Sequence, residues 1–536
     1  MTKDKTQPMP LMNRTFLLLL IATCVGCTLA SQPTITPTLT LTATDTPTVT
    51  RTVTPTVSLT PSATPSATQT ALPSATASLT FTPTLTATPT RTPDPTAQFF
   101  YRNSQLLDIP ATIRDGIPQP LVAFLNYNDR ETIRNLATAQ PGTNIVTLYY
   151  SPASGGGNRI SILTLESEAQ DQIYVAPSGN SLIYYYDDPR GASSGLWLLN
   201  ISIGTTAWVS DLRSLTQRGF FTPPTWSPDG KQVALALATG YDLDIITLDM
   251  DTAAPTTLTE AASYEWAPVW SPDGRYIAFL SDRAVCPSWR PGDPDACDPQ
   301  TDPTPTHGQV FVIEVATGTV TRISDRLVSE TPVWVNAAYL AFATRSRPDD
   351  ILDGSRSLWL AQVDAIVAGN AEARLVALAG SSDDRVNVSE AWAPDASAVL
   401  YQEADNALVL MQADGTLIAR NDDSLRYPRF GVSAAWSPDS ARIAIGGVGS
   451  QCPYGRTVLS RSFALIANAL PPPSMCNPLW SPDGAAIVYS GVVPRATGAS
   501  DGRLDLYISD SNGFGATNLT GDLRGQIRLL GWVGGN

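Results

Sequence analysis

The chain has 536 residues, of which 15% are charged, and a formal net charge of −15. That length can bury a large core, while the acidic balance excludes the phosphate-neutralising surface that nucleic-acid binding requires. With one histidine in the whole chain, a histidine-rich zinc site is excluded and any Ser-His-Asp triad would have to use His307.

At the N-terminus, Lys3, Lys5 and Arg14 precede an apolar run over 16–22, followed by Cys24-Val-Gly-Cys27. Basic residues, a short apolar core and small residues in that order predict a secretion signal. The run is too short to cross a bilayer comfortably. Small residues ending in Cys resemble the bacterial lipoprotein signal, which implies lipidation of Cys27, removal of residues 1–26 and a surface lipoprotein held at the membrane. Cys24 stands where that signal usually has Leu, so an ordinary cleaved signal or an uncleaved anchor is the alternative. Removing 1–26 takes away Lys3, Lys5, Arg14 and Asp4 and moves the net charge from −15 to −17.

Residues 32–97 are almost wholly Thr, Pro, Ser and Ala, a composition that cannot form a core. A disordered stalk over 27–97 is expected, its 32–97 tract reaching at most roughly 200 Å in polyproline geometry. Such Ser/Thr/Pro tracts are also O-glycosylation substrates. Residues 98–117 form a connector, and 118–536 the folded domain.

In that domain one pattern recurs: Trp226-Ser-Pro-Asp229-Gly230, Trp270-Ser-Pro-Asp273-Gly274, Trp436-Ser-Pro-Asp439-Ser440 and Trp480-Ser-Pro-Asp483-Gly484, with Trp392-Ala-Pro-Asp395-Ala396 as a looser copy. The spacings 270−226, 436−392 and 480−436 are all 44, and periods of about 40–50 residues are typical of propeller blades. Each turn is followed by an apolar run such as Tyr276-Ile-Ala-Phe-Leu280 or Ile443-Ala-Ile445, read as a strand that makes a hairpin with the Trp strand. Pro presets the first corner of the turn, Asp bonds the backbone ahead, and Gly takes the positive φ. A third strand, such as 244–248 or 505–508, and a polar fourth one complete a four-stranded blade.

Degenerate copies sit at Val175-Ala-Pro-Ser-Gly179 and Trp334, and Trp532 lies on a last strand with nothing after it. That strand is expected to join those near 121–127, 144–150 and 159–165, closing the ring with both chain ends in one blade and removing exposed edges. The expected fold is therefore all-β, a propeller of eight blades. Seven is the alternative, because 121–139 is poorly patterned.

The Trp-Ser-Pro-Asp-Gly turn followed by an Ile-Ala-Phe type strand resembles the WD-repeat-like β-propeller of the TolB type, found in periplasmic and surface proteins. The resemblance covers roughly 118–536 and implies the fold without an activity. No hydrolase domain is expected after the repeats.

Four cysteines remain outside the signal. An even count in a secreted chain favours disulfides, and local pairing joins Cys286 to Cys297 and Cys452 to Cys476, each pair inside an insertion. Closing the shorter loop would contribute on the order of 3 kcal/mol.

The turn residues Asp229, Asp273, Asp395, Asp439 and Asp483 recur because the turn needs them and do not form a catalytic set. Asp293, Asp295 and Asp298 cluster hard oxygens in one insertion; a solvated acidic loop is expected, with calcium the alternative and no other cofactor. The Trp series is expected to pack between blades. Gly191-Ala-Ser193-Ser-Gly195 matches a nucleophile elbow in letters but lies between two strands, where the elbow needs a strand-to-helix turn.

The reading is of a monomeric, non-catalytic, surface-tethered propeller that binds a protein or glycan through the insertions 284–308 and 448–477. An extracellular glycan-active enzyme with a site in the central channel, and a TolB-like envelope assembly factor, are the alternatives.

Overall fold

The computed structural model describes residues 111–128, 144–154, 158–167, 173–186, 195–210, 223–238, 240–298, 300–345, 356–370, 375–378, 390–403, 407–421, 432–448, 452, 455–493 and 503–535. Contacts divide the chain into Met1–Pro89 and Thr90–Asn536, and every described residue lies in the second unit. Cys27, the stalk and Ser193 fall outside the described residues.

Among the described residues the strands form antiparallel four-stranded sheets, nearly all in chain order. Sheet two comprises Ile173–Val175, Ser181–Tyr186, Gly195–Asn200 and Thr205–Ser210. Sheet three comprises Thr225–Trp226, Gln232–Ala238, Leu243–Asp249 and Pro255–Thr257; sheet four, Glu265–Trp270, Tyr276–Ser281, Gln309–Glu314 and Thr319–Arg322. Sheet five comprises Val333–Trp334, Tyr339–Arg345, Arg356–Gln362 and Leu375–Leu378; sheet six, Ala391–Trp392, Ala398–Gln402, Leu408–Gln412 and Leu417–Asn421. Sheet seven comprises Val432–Trp436, Arg442–Gly447, Arg456–Ser460 and Leu465–Ala469; sheet eight, Ser474–Trp480, Ala486–Val492, Leu504–Asp510 and Thr517–Asn518. Sheets seven and eight touch through one parallel pair, Gly447 with Cys476. Sheet one departs from chain order: Leu121–Asn128, Asn144–Pro152 and Ile160–Ser167 take the C-terminal strand Gln526–Val533 as their fourth member, antiparallel to Leu121–Asn128.

Each sheet is covered on both faces, which is why its central strands read as continuous apolar runs rather than alternating ones. In Tyr276–Ser281, Ile277 and Phe279 pack toward sheet three while Ala278 and Leu280 pack toward sheet five. The same division of odd and even residues runs through the other sheets, and Val122 and Phe124 of sheet one pack on Val488, Leu506 and Ile508 of sheet eight. Four-stranded antiparallel sheets stacked face to face are the blade architecture of a β-propeller.

The hairpin turns follow from their residues. In the 226–230 turn Ser227 Oγ donates to Asp229 Oδ1 at 2.6 Å, Lys231 N–H donates to the same oxygen at 3.1 Å, and Gly230 N–H closes on Ser227 O at 2.8 Å. The 437–441 and 481–485 turns repeat this set. Gly230, Gly274 and Gly484 have φ of 68°, 73° and 68°, while Ala396 and Ser440 take the same region at 58° and 57°. The 335–338 turn lacks the Pro-Asp pair, and Asn336 Oδ1 replaces it by accepting from Ala338 and Tyr339 N–H.

The Trp residues are staples between neighbouring first strands. Each indole N–H of Trp334, Trp436, Trp480 and Trp532 donates to the carbonyl of the residue just before the preceding sheet's Trp: Val269, Ala391, Ala435 and Leu479, at 3.0, 2.9, 2.9 and 3.3 Å. The indole nitrogens of Trp270 and Trp392 are buried without a partner. Trp480→Phe is therefore expected to cost more than Trp270→Phe, because it strands the Ala435 carbonyl while the other change removes a donor already orphaned; a gap of about 1–2 kcal/mol in urea unfolding is expected. Equal costs would show that the indole bonds do not contribute.

One expectation is corrected. The segment 448–477 is not an insertion: it contains Arg456–Ser460, Leu465–Ala469 and the start of Ser474–Trp480, so Cys476 lies on a strand. Leu465–Ala469 was hidden because its end, Leu470-Pro-Pro-Pro473, reads as loop, and the strands carry no Trp turn to mark them.

Candidate functional site

Because the strands of each sheet alternate in direction, connections between strands one and two and between three and four lie at one end of the sheets. Those between two and three, and from one sheet to the next, lie at the other. The first end carries the tight turns, in which strands one and two are joined by four or five residues. The second end carries the 282–308 connection of sheet four, the longest stretch without a regular strand among the described residues.

The disulfides Cys286–Cys297 and Cys452–Cys476 are both present. The first closes the 282–308 loop on itself; the second ties Cys452, in the connection between Arg442–Gly447 and Arg456–Ser460, to the first strand of sheet eight.

A buried clamp fixes the 282–308 loop to sheets three and four. Asp282, 1% exposed, accepts Tyr264 N–H on Oδ1 and the Trp289 indole N–H on Oδ2, both at 2.8 Å. The Trp289 ring stacks on Tyr264 with centroids 4.6 Å apart. Arg290 donates from Nε and Nη2 to Asp242, itself fully buried, at 3.0 and 2.7 Å. Arg283 pairs with buried Glu265 and lies 4.5 Å from the Phe311 ring centre. None of these residues belongs to the repeat grammar, and sequence reasoning missed them; the available signal was Asp242-Leu-Asp244 facing Tyr264-Glu265, brought side by side by the parallel pair Leu243 and Tyr264.

Burial pushes the Asp282 carboxyl up from its ordinary 3.8 to about 6, partly offset by its Trp289 and Tyr264 bonds. A carboxyl whose folded value is raised costs stability when charged, so its share of stability is lowest above pH 6 and grows as pH falls toward 4, a difference of roughly 3 kcal/mol. The turn residues Asp229, Asp439 and Asp483 act in the opposite sense: their Ser hydroxyls and then the following amides hold them low, so what they contribute is lost only as pH falls below the ordinary range. The melting temperature of the wild type relative to Asp282→Asn is expected to rise between pH 7 and pH 5. A gap that does not move would remove this role of Asp282.

The acids proposed for calcium do not converge. Asp293 accepts from Ser288 Oγ at 2.7 Å and Asp298 from Gln300 N–H at 2.9 Å, each serving the loop's own structure. Asp295 is exposed, and no group of three such ligands occurs among the described residues. His307 lies at the loop's end with Nδ1 3.2 Å from Thr306 Oγ1. Two apolar side chains stand out beside the clamp: Tyr241, next to Asp242, is 54% exposed, and Val285, whose N–H bonds Asp282 O, is 65% exposed.

No protein-family model and no curated protein matches the chain. Among solved structures it is similar to TolB from Acinetobacter baumannii, with 18% identity over 59% of this chain and 65% of that one and a TM-score of 0.31. It is also similar to BamB from Moraxella catarrhalis, with 15% identity, coverage of 64% and 90% and a TM-score of 0.37. An oligogalacturonate lyase in complex with manganese shares 13% identity, with coverage of 74% and 97% and a TM-score of 0.38. The chain thus spans just under two thirds of the Acinetobacter TolB. These likenesses concern the fold alone and carry nothing about activity.

Proposed function

We propose that the chain is a closed eight-bladed propeller, tethered at the cell surface, that recognises a protein or glycan without catalysis through the end that carries the 282–308 loop. Closure is supported by the C-terminal strand completing sheet one and by the shared core of sheets eight and one. Seven blades would leave one of the four-stranded sheets unassigned. The two disulfides fit an oxidising, extracytoplasmic compartment. Among the described residues no helix is long and apolar enough to cross a membrane, and the proposed attachment is the lipid on Cys27.

The observation that carries the reading is the polarity of the two ends. Ile117 packs against Gly179 and Gly534, in and beside the tight turns, so the chain enters the domain at the turn end. The 282–308 loop lies at the opposite end of the sheets. At that end the clamp and the disulfide hold Tyr241 and Val285 in a preset, exposed position, which lowers the entropy lost on binding. Asp242 and Asp282 are taken up by internal bonds to Arg290, Trp289 and Tyr264, and Glu265 pairs with Arg283 through Oε1. The residues preceding the Trp positions, Thr225, Val269, Val333, Ala391, Ala435, Leu479 and Gly531, are all uncharged and offer no acid or base.

The test is Tyr241→Ser with Val285→Ser, which removes exposed side chains and leaves the clamp intact. Melting within about 2 °C of wild type and loss of cross-linking to the surface partner are expected. Cross-linking unchanged by the pair, or polysaccharide turnover by the purified protein, would overturn the binding-module reading.

A further inference from the structure

The outer strand of sheet seven, Leu465–Ala469, pairs on one side with Arg456–Ser460 and is the last strand of its sheet on the other. It carries exposed apolar side chains: Leu465, Ile466 and, just after it, Leu470 are 49%, 45% and 52% exposed. No charged residue occurs from Ser462 to Asn477. Several other outer strands are blunted. That of sheet three is the three-residue Pro255–Thr257, that of sheet eight the two-residue Thr517–Asn518, that of sheet four ends in Arg322, and that of sheet six carries Arg420 paired with Glu403. Short length, Pro and charge are the devices that keep edges from pairing. Sheet seven has only the register shift that leaves Ile466 unpaired.

We propose that this edge is a self-association surface, on which a second copy of the chain adds the same strand antiparallel about a two-fold axis through Asn468. Two observations select a second copy. The run is nearly self-complementary about that residue, with Ala467 meeting Ala469 and Ile466 meeting Leu470, as an isologous contact requires. In addition, a chain of net charge −15 repels its own copies, and this charge-free edge is where two of them approach without opposing charges. The contact departs from the monomer expected from sequence. One short strand buries less than a standard interface, so the dimer is weak in solution, with Kd on the order of 10⁻⁴–10⁻⁵ M. Tethering to a surface would raise the effective concentration. The contact is independent of the loop-end reading and leaves Tyr241 and Val285 uncovered.

Sedimentation velocity of the purified full chain from about 1 to 200 μM, a range that brackets this Kd, is the first test. The weight-average mass is expected to climb toward twice that of the monomer, and Ile466→Lys to keep it monomeric with unchanged melting. Leu470→Lys, outside the strand, serves if Ile466→Lys fails to fold. Asn468→Cys tests the register: oxidation should link two copies through residue 468, whereas Ser462→Cys should not. A mass that stays monomeric to the highest concentration, association that persists in both Lys variants, or equal linkage through 462 and 468 would each overturn the proposal.

Discussion

Gly534→Val is expected to prevent stable folding, with a loss of about 4 kcal/mol or more in urea unfolding. The residue follows the C-terminal strand at the place where every other sheet has its covalent turn, and it sits at φ 72°. A Cβ there would lie 2.3 and 2.4 Å from Ile117 Cγ2 and Cβ and 2.8 Å from Ile117 O. A rotamer change moves neither Cβ nor the carbonyl, so the chain itself must shift. What it would displace is the junction that substitutes for a turn: Gly534 N–H donates to Pro177 O at 2.8 Å and Gly535 N–H to Ile117 O at 2.9 Å, over the buried side chains of Ile113 and Ile117. Gly531→Ala is the matched control. Its φ is 143° but nothing lies within 4 Å, so only backbone strain of about 1–3 kcal/mol applies. Equal losses at 531 and 534 would mean that the split turn does not hold the C-terminal strand.

Arg456→Met is expected to cost on the order of 3–5 kcal/mol. Arg456 is 4% exposed, and its partners are carbonyls: Gly513 O at 2.5 Å, Pro471 O at 2.7 Å and Pro473 O at 2.7 Å. Those oxygens lie in the last turn of sheet eight and in the link from sheet seven, so one guanidinium joins the two sheets. Methionine matches much of the volume and supplies no donor, which strands all three acceptors. Arg456→Lys should recover only part, since one ammonium cannot reproduce the planar fork. For comparison, Arg461→Met removes an ion pair with Asp395 whose side chains are 45% and 41% exposed, worth below about 1 kcal/mol. Similar unfolding midpoints for the Arg456 and Arg461 variants would refute the hub role.

The two residues behind these predictions differ in how they could be found. Gly534 stands two places after Trp532, where the repeats have Pro, and the repeat grammar pointed to a terminal strand in need of partners in sheet one. Nothing in the grammar names Arg456, because its contacts are backbone carbonyls in segments remote from it in sequence. The segment 448–477 failed for a related reason: the second half of sheet seven has no Trp turn, and its strands are bounded by prolines that read as loop.

What the sequence by itself determined is whatever repeats locally. The Trp-Ser-Pro-Asp-Gly turn encodes its own geometry, since Ser, Asp and Gly satisfy one another within five residues, and its period places the strands before any long-range contact is known. The two disulfide pairs were legible because their partners are close in the chain and the count is even. Only the tertiary structure decided the rest. The clamp of Asp242, Glu265, Asp282, Arg283, Trp289 and Arg290 draws on three separate segments and on burial, which turns ordinary surface residue types into internal ones. The indole staples depend on how one first strand sits against the next, and the polarity of the two ends depends on where the chain enters. A local motif can specify a turn with its own side chains, whereas a site built between sheets exists only once packing has removed water from around charges that the sequence lists far apart.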